Sequence, residues 1–222
     1  MTTEDQEQVQ GWPHRLVVVE GLIGVGKTSL ARNLAEATGA GTVLEQPMDN
    51  PFLERFYKDR RAAAFPAQLY FLFQRSRQLA ELRQHDLFAQ VRVADYMLDK
   101  DRLFARIVLD DEEFKLYDQI YARLAMDAPT PDLVVFLQAP VDVLLQRIER
   151  RGIPFEKYID AAYLERLSEA YTRYFHQYTA SPLLIVNTAE IDPANNSRDF
   201  EDLFETIRRT TSGRHYVNPV RR

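Results

Sequence analysis

An eight-residue stretch, Gly21-Leu22-Ile23-Gly24-Val25-Gly26-Lys27-Thr28, restricts the folds open to this chain more than any other feature. It satisfies the pattern G-x-x-x-x-G-K-[S/T] at every fixed position. Ahead of it, Leu16-Val17-Val18-Val19-Glu20 is an apolar, β-branched run as long as a buried strand. Behind it, from Ser29 onward, Leu30, Leu34 and Ala37 recur at helical spacing. Strand, glycine loop and helix in that order make a phosphate cradle. Glycines let successive N–H groups turn inward, and the helix N-terminus adds partial positive charge. Lys27 is placed to reach β- and γ-phosphates, and the Thr28 hydroxyl to ligate Mg²⁺. The expected ligand of the loop, through Ser29, is a purine nucleoside triphosphate with Mg²⁺.

The remaining composition narrows the class. A length of 222 residues suits one α/β domain with a sizeable core, and 45% apolar with 27% charged residues is ordinary for a globular protein. A net charge of −5 argues against nucleic acid as the main partner, whereas a phosphate site needs only local positive charge. With no cysteine, disulfides, thiol catalysis and cysteine-ligated zinc are excluded, and His14, His85, His176 and His215 show no metal-ligand spacing. No apolar run approaches the roughly 18 residues that cross a bilayer. Met1 to Gln10 is polar and acidic, unlike a signal peptide, so the expected location is cytoplasmic.

Along the chain, residues 1–14 read as a disordered lead-in to a single domain over 15–222. Thr42-Val43-Leu44-Glu45 reads as a second strand with Glu45 at its carboxyl end, where open parallel sheets bind ligands. A carboxylate there either reacts or is simply solvated. Asn50 to Arg61 reads as an amphipathic helix, and Pro66 as the start of a long one from Ala67 to about Gln84. Gln68 and Arg75, seven apart, share one face of that helix, either against a flat polar ligand or on the surface. Val91 to Ala94 is a third strand ending in a second carboxylate, Asp95. Leu133 to Leu137 is a fourth, wholly apolar strand, and Pro182 to Asn187 a fifth. Between them a helix carries Arg147, Arg150 and Arg151 to a break at Gly152-Ile153-Pro154, where arginines can close over transferring phosphates. A further helix striped with Phe114, Tyr117 and Tyr121 reads as core or subunit interface. Strands alternating with helices predict a five-stranded parallel sheet, helices on both faces, joined by right-handed crossovers.

Taken together, the chain resembles the deoxyribonucleoside kinases, P-loop enzymes related to thymidylate kinase, and in particular their bacterial members. The resemblance rests on Glu20 to Thr28, Glu45-Gln46-Pro47, Tyr57 eleven residues before Gln68, Gln68 seven before Arg75, Asp101-Arg102-Leu103-Phe104-Ala105, the arginine lid over about 150–160, and the ending Ser212 to Pro219. It implies a three-layer P-loop kinase fold, ATP as donor and a homodimer. It also implies roles: Glu45 as general base on the nucleoside 5′-hydroxyl, Tyr57 and Glu156 on the sugar 3′-hydroxyl, and Gln68 and Arg75 on the base. By the same resemblance Arg147 and Arg151, with their neighbour Arg150, contact the donor phosphates; Asp95, by its strand-end position, is placed to serve the metal or the catalytic centre. Two positions depart from the family pattern. Asp95-Tyr96-Met97 stands where the family has a carboxylate followed by arginine and serine, leaving Lys100 or a lid arginine to replace the missing cation. Ile153 stands where the lid carries a further arginine.

Two other readings remain open at this stage. A nucleoside monophosphate kinase needs an arginine in the acceptor pocket for the substrate's phosphate, a part Arg75 could take. A slow P-loop switch would carry a base-reading Asn-Lys-x-Asp, which the chain lacks.

Overall fold

The computed structural model describes residues 11–85, 91–125 and 128–219. Strand β1 (Leu16–Gly21) is buried on both faces apart from its first residue, as its run of valines requires. It runs through the P-loop into helix α1 (Lys27–Thr38), which ends on Gly39 in the left-handed conformation. Strand β2 (Gly41–Val43) and a 3₁₀ turn, Pro47–Asp49, lead to the short helix α2 (Leu53–Lys58) and the long helix α3 (Arg60–His85). Then come β3 (Arg92–Ala94), α4 (Asp99–Val108), α5 (Asp111–Leu124) and β4 (Leu133–Gln138). Helix α6 (Val141–Arg151), the 3₁₀ turn Glu156–Tyr158, α7 (Ala161–Gln177), β5 (Leu183–Asn187), α8 (Ser197–Arg209) and β6 (Arg214–Val217) complete the order.

The sheet runs β2-β3-β1-β4-β5-β6 with every pairing parallel, and helices flank it. After β3 the chain crosses to the other side of β1, so the order switches there. The crevice outside the carboxyl ends of β1 and β3 is where an open α/β sheet binds ligands. Val17, Val19, Leu133, Val134, Val135 and Leu184 are fully enclosed, so the rows that aim the crevice loops are held by the core.

Four expectations need correction. The sheet has six strands, not five. β6 pairs with β5 but, as an edge strand, has no fully buried residue, so its apolar signal is weak. Strand β2 ends at Val43, which places Glu45 two residues beyond it. The helix expected over 50–61 is interrupted at Asp59, which is extended and accepts a hydrogen bond from the Ala62 N–H at 3.1 Å, starting α3 earlier than Pro66. Pro66 therefore lies inside α3. It has no N–H for the Ala62 carbonyl, and the Arg55 guanidinium donates to that oxygen instead at 3.1 Å. Of the lead-in expected over 1–14, residues 1–10 lie outside the described residues. Trp12, by contrast, stacks on Phe204, and His14 is buried against the Ile207 carbonyl, so the packed chain begins before residue 15.

Candidate active site

The P-loop curls at the carboxyl end of β1. Gly21 has a φ of 147°, and a Cβ there would stand 2.5 Å from the Leu137 carbonyl oxygen on β4, so only glycine fits. Gly26, at a φ of 103°, begins α1, and no side chain caps that helix, which leaves its first amides facing the loop. Lys27 Nζ donates to the Leu22 carbonyl at 3.0 Å. Burial, with Lys100 nearby, lowers the Lys27 ammonium to about 8, while Glu20, Glu45 and Asp95 oppose the shift.

Asp95, at the end of β3, is almost fully enclosed. One of its oxygens accepts from the Thr28 hydroxyl and the other from the Glu45 N–H at 2.7 Å. With its proton directed to Asp95, the Thr28 oxygen keeps lone pairs turned outward, the donor a Mg²⁺ ion would need. Such an ion usually completes its octahedron from phosphates and water. Among the described residues no cluster of three or more His, Asp or Glu forms a metal cage.

Glu45 meets Arg75 from α3 and Lys100 from α4, the latter 3.2 Å from both carboxylate oxygens. Burial works against its ionisation, but Arg75, then Lys100 and Lys27, outweigh it and hold the carboxyl well below the usual range. Arg75 is also ion-paired to Asp101, which is completely buried, and lies over the rings of Phe71 and Tyr96.

Gln68, Tyr57, Phe71, Phe104 and Tyr163 line the same hollow as Glu45, Lys27, Thr28, Arg75 and Lys100. Tyr57 stacks on Phe155 at 5.9 Å between centroids. Glu156 is buried and receives a two-pronged bond from Arg151, Nε to Oε2 at 3.0 Å and Nη2 to Oε1 at 2.6 Å. Burial raises the Glu156 carboxyl, and Arg151 opposes that.

A second hollow adjoins the first across Gly24, Lys27, Thr28 and Arg151, and adds Ser29, Arg147, Arg150, Asp192 and Asn195. Arg147 is anchored there. Its guanidinium donates to the Thr188 carbonyl at 2.7 Å, the Thr188 hydroxyl at 3.1 Å and the P-loop carbonyl of Val25 at 3.4 Å. Arg150 is mostly exposed, 3.8 Å from Asp192.

The structure thus brings the sequence candidates to one crevice, the arginines grouped around the second hollow and Tyr57, Gln68, Arg75 and Glu156 around the first. Sequence reasoning passed over several neighbours. Glu20 is fully enclosed, accepts from the N–H groups of Met97 at 2.8 Å and Gly21 at 3.0 Å, and has its carboxyl raised by burial. A lone acid ending an all-apolar strand was the available signal. Asp101 was quoted only as part of a motif, and its pairing with Arg75 could not be foreseen, since the two lie 26 residues apart on different helices.

Comparison with known proteins gives the chain's relatives. The family model described as deoxynucleoside kinase matches residues 17–212. A deoxyguanosine kinase of Bacillus subtilis is 37% identical over 190 residues, spanning 83% of this chain and 92% of its own. A deoxyadenosine kinase of Lactobacillus acidophilus is 30% identical over 207 residues, 87% of this chain and 94% of its own. Among solved structures, deoxyadenosine kinase from M. mycoides with bound dATP shares the fold at a TM-score of 0.75 and 24% identity, covering 86% of this chain and 98% of that one.

Proposed function

The chain belongs to the deoxynucleoside kinase family, and from that premise we propose that it transfers the γ-phosphoryl group of ATP to the 5′-hydroxyl of a purine deoxyribonucleoside. The observation that carries the reading is the pairing of two hollows across Lys27 and Thr28, with Glu45 on the acceptor side and the arginines of α6 on the donor side. The purine preference follows the similarity to kinases named for deoxyguanosine and deoxyadenosine.

In this reading the P-loop amides and Lys27 hold the triphosphate, and Thr28 would ligate a Mg²⁺ ion, which supplies charge neutralisation at the phosphates. The 5′-oxygen attacks the γ-phosphorus as the bond to the β–γ bridging oxygen breaks, giving ADP and the 5′-monophosphate. Glu45 accepts the hydroxyl proton. Held ionised, it always presents an acceptor oxygen, and its low basicity suits a loose transition state in which the proton leaves late. Gln68 faces the base, while Tyr57 and Glu156 face the sugar. Arg151, shared between the hollows, joins Arg147 and Arg150 around the donor phosphates.

The structure disfavours a monophosphate acceptor. Arg75, the arginine that would have to bind its phosphate, already faces Glu45 and Asp101, and Arg151 faces Glu156. A homodimer and a cytoplasmic location complete the proposal. Exposed Phe73 on α3 and Leu116 on α5 offer apolar surface for a second copy, and among the described residues no helix is long and apolar enough to cross a membrane.

The test is a product assay with ATP and Mg²⁺ across deoxyguanosine, deoxyadenosine, deoxycytidine and thymidine, alongside the four monophosphates. Turnover of the purine deoxynucleosides is expected. Turnover of monophosphates with no reaction of nucleosides would overturn the reading.

A further inference from the structure

Glu45 poses a positioning problem. The last ladder bond near it runs from the Asp95 N–H to the Val43 carbonyl at 3.2 Å, and β2 stops there. Glu45 stands beyond the sheet, on a stretch with no strand or helix of its own. A reacting carboxylate displaced by about 1 Å can lose 10²-fold in rate, so something else must hold this backbone.

Side chains take over where the ladder ends. Asp95 accepts the Glu45 N–H at 2.7 Å. From α3, two glutamines one helical turn apart bracket the same residue: Gln78 Nε2 donates to the Leu44 carbonyl at 3.0 Å, and Gln74 Nε2 to the Gln46 carbonyl at 3.3 Å. Arg75, on the intervening turn, meets the Glu45 carboxylate itself. The Gln78 amide is in turn oriented by Tyr96, whose hydroxyl donates to Gln78 Oε1 at 2.7 Å. Tyr96 is 1% exposed and follows Asp95 directly, so the two residues just beyond β3 anchor both ends of this chain of bonds.

We infer that Gln78, oriented by Tyr96, is a positioning residue for the base: it fixes the Leu44–Glu45 peptide so that the Glu45 carboxylate points into the acceptor hollow. Gln78 is absent from the lining of that hollow. Gln74 is the weaker arm, with the longer bond and an amide oxygen that is buried without a partner. The Tyr96–Gln78 bond gives a role to the tyrosine that stands where the sequence pattern led one to expect an arginine.

The inference rests on Glu45 acting as base, and the experiment separates the two. Steady-state kinetics with ATP and deoxyguanosine are measured for the full chain and for Gln78→Leu, Tyr96→Phe, Glu45→Gln and Gln78→Leu/Glu45→Gln, with melting temperatures alongside. Gln78→Leu should lower kcat by roughly tenfold while both KM values stay within about twofold, the pattern of a group whose effect is felt in the transition state. Tyr96→Phe, a gentler change, should lower kcat in the same sense by a few fold. In the Glu45→Gln background the Gln78 change should cost nothing further, because there is no base left to aim. An unchanged kcat in both Gln78→Leu and Tyr96→Phe overturns the inference, as does an equal loss from the Gln78 change in both backgrounds. Full activity of Glu45→Gln instead overturns the role of the base.

Discussion

Replacing Arg75 with methionine tests the electrostatics of the site most directly. The guanidinium is 4% exposed and faces two carboxylates, Glu45 at 17% and Asp101 at 0% side-chain exposure. Removing one member of a buried ion pair leaves an uncompensated charge and typically costs about 3–5 kcal/mol. For a chain of this size that corresponds to a melting point lower by roughly 6–20 °C. The pH dependence identifies the cause. Glu45 is held below its unfolded value, so its ionic contribution is complete above about pH 4.3 and is lost as pH falls through the depressed value. Without Arg75, burial is opposed chiefly by Lys100 and Lys27, so the Glu45 carboxyl rises and the variant gains stability by protonating. The gap in melting temperature between the parent and Arg75→Met should therefore narrow as pH is lowered from 7 toward 5. The acid limb of kcat/KM for the deoxynucleoside should move to higher pH. Adding Asp101→Asn removes the other orphaned charge and should recover part of the loss. Differential scanning calorimetry at several pH values and a pH–rate profile supply the readouts. A melting loss below about 2 °C, a gap that does not change with pH, or no recovery with Asp101→Asn would refute the account, since buried unpaired charge predicts all three effects.

Three further outcomes follow from the same geometry. With Lys27 lowered to about 8, the apparent KM for ATP should rise as pH climbs through that value and the ammonium is lost; Lys27→Arg should flatten the rise, and a flat parent profile would contradict it. Asp95→Asn keeps an oxygen for the Glu45 N–H but removes the charge beside Thr28, so kcat should fall by about 10² with a higher Mg²⁺ requirement, read by metal titration. Gly21→Ala forces a methyl group to 2.5 Å from the Leu137 carbonyl at a φ unsuited to alanine, and should cost more than about 2 kcal/mol in urea unfolding even without ligand.

What the chain by itself determined was local. A glycine spacing, an apolar run before it and a helical period after it specify the cradle, because backbone conformation and one hydrophobic face are properties of a few neighbouring residues. Periodicity likewise marked the buried strands, where both faces are covered and no alternation is needed. The tertiary structure decided whatever depended on residues far apart in sequence. That Glu45 lies past its strand, held by Asp95 at a separation of 50 residues, with Leu44 before it held by Gln78 at 34, is invisible to any window on the sequence. Asp101 stood in the sequence as part of a motif with no partner in view, yet it is completely enclosed and ion-paired to Arg75, which reaches it from α3. The sixth strand went unseen because an edge strand with one open face carries little apolar signal, and Pro66 misled because Arg55 satisfies the carbonyl that proline leaves without its usual donor. Short-range sterics write themselves into neighbouring residues, whereas burial and ion pairing belong to positions that only the folded chain brings together.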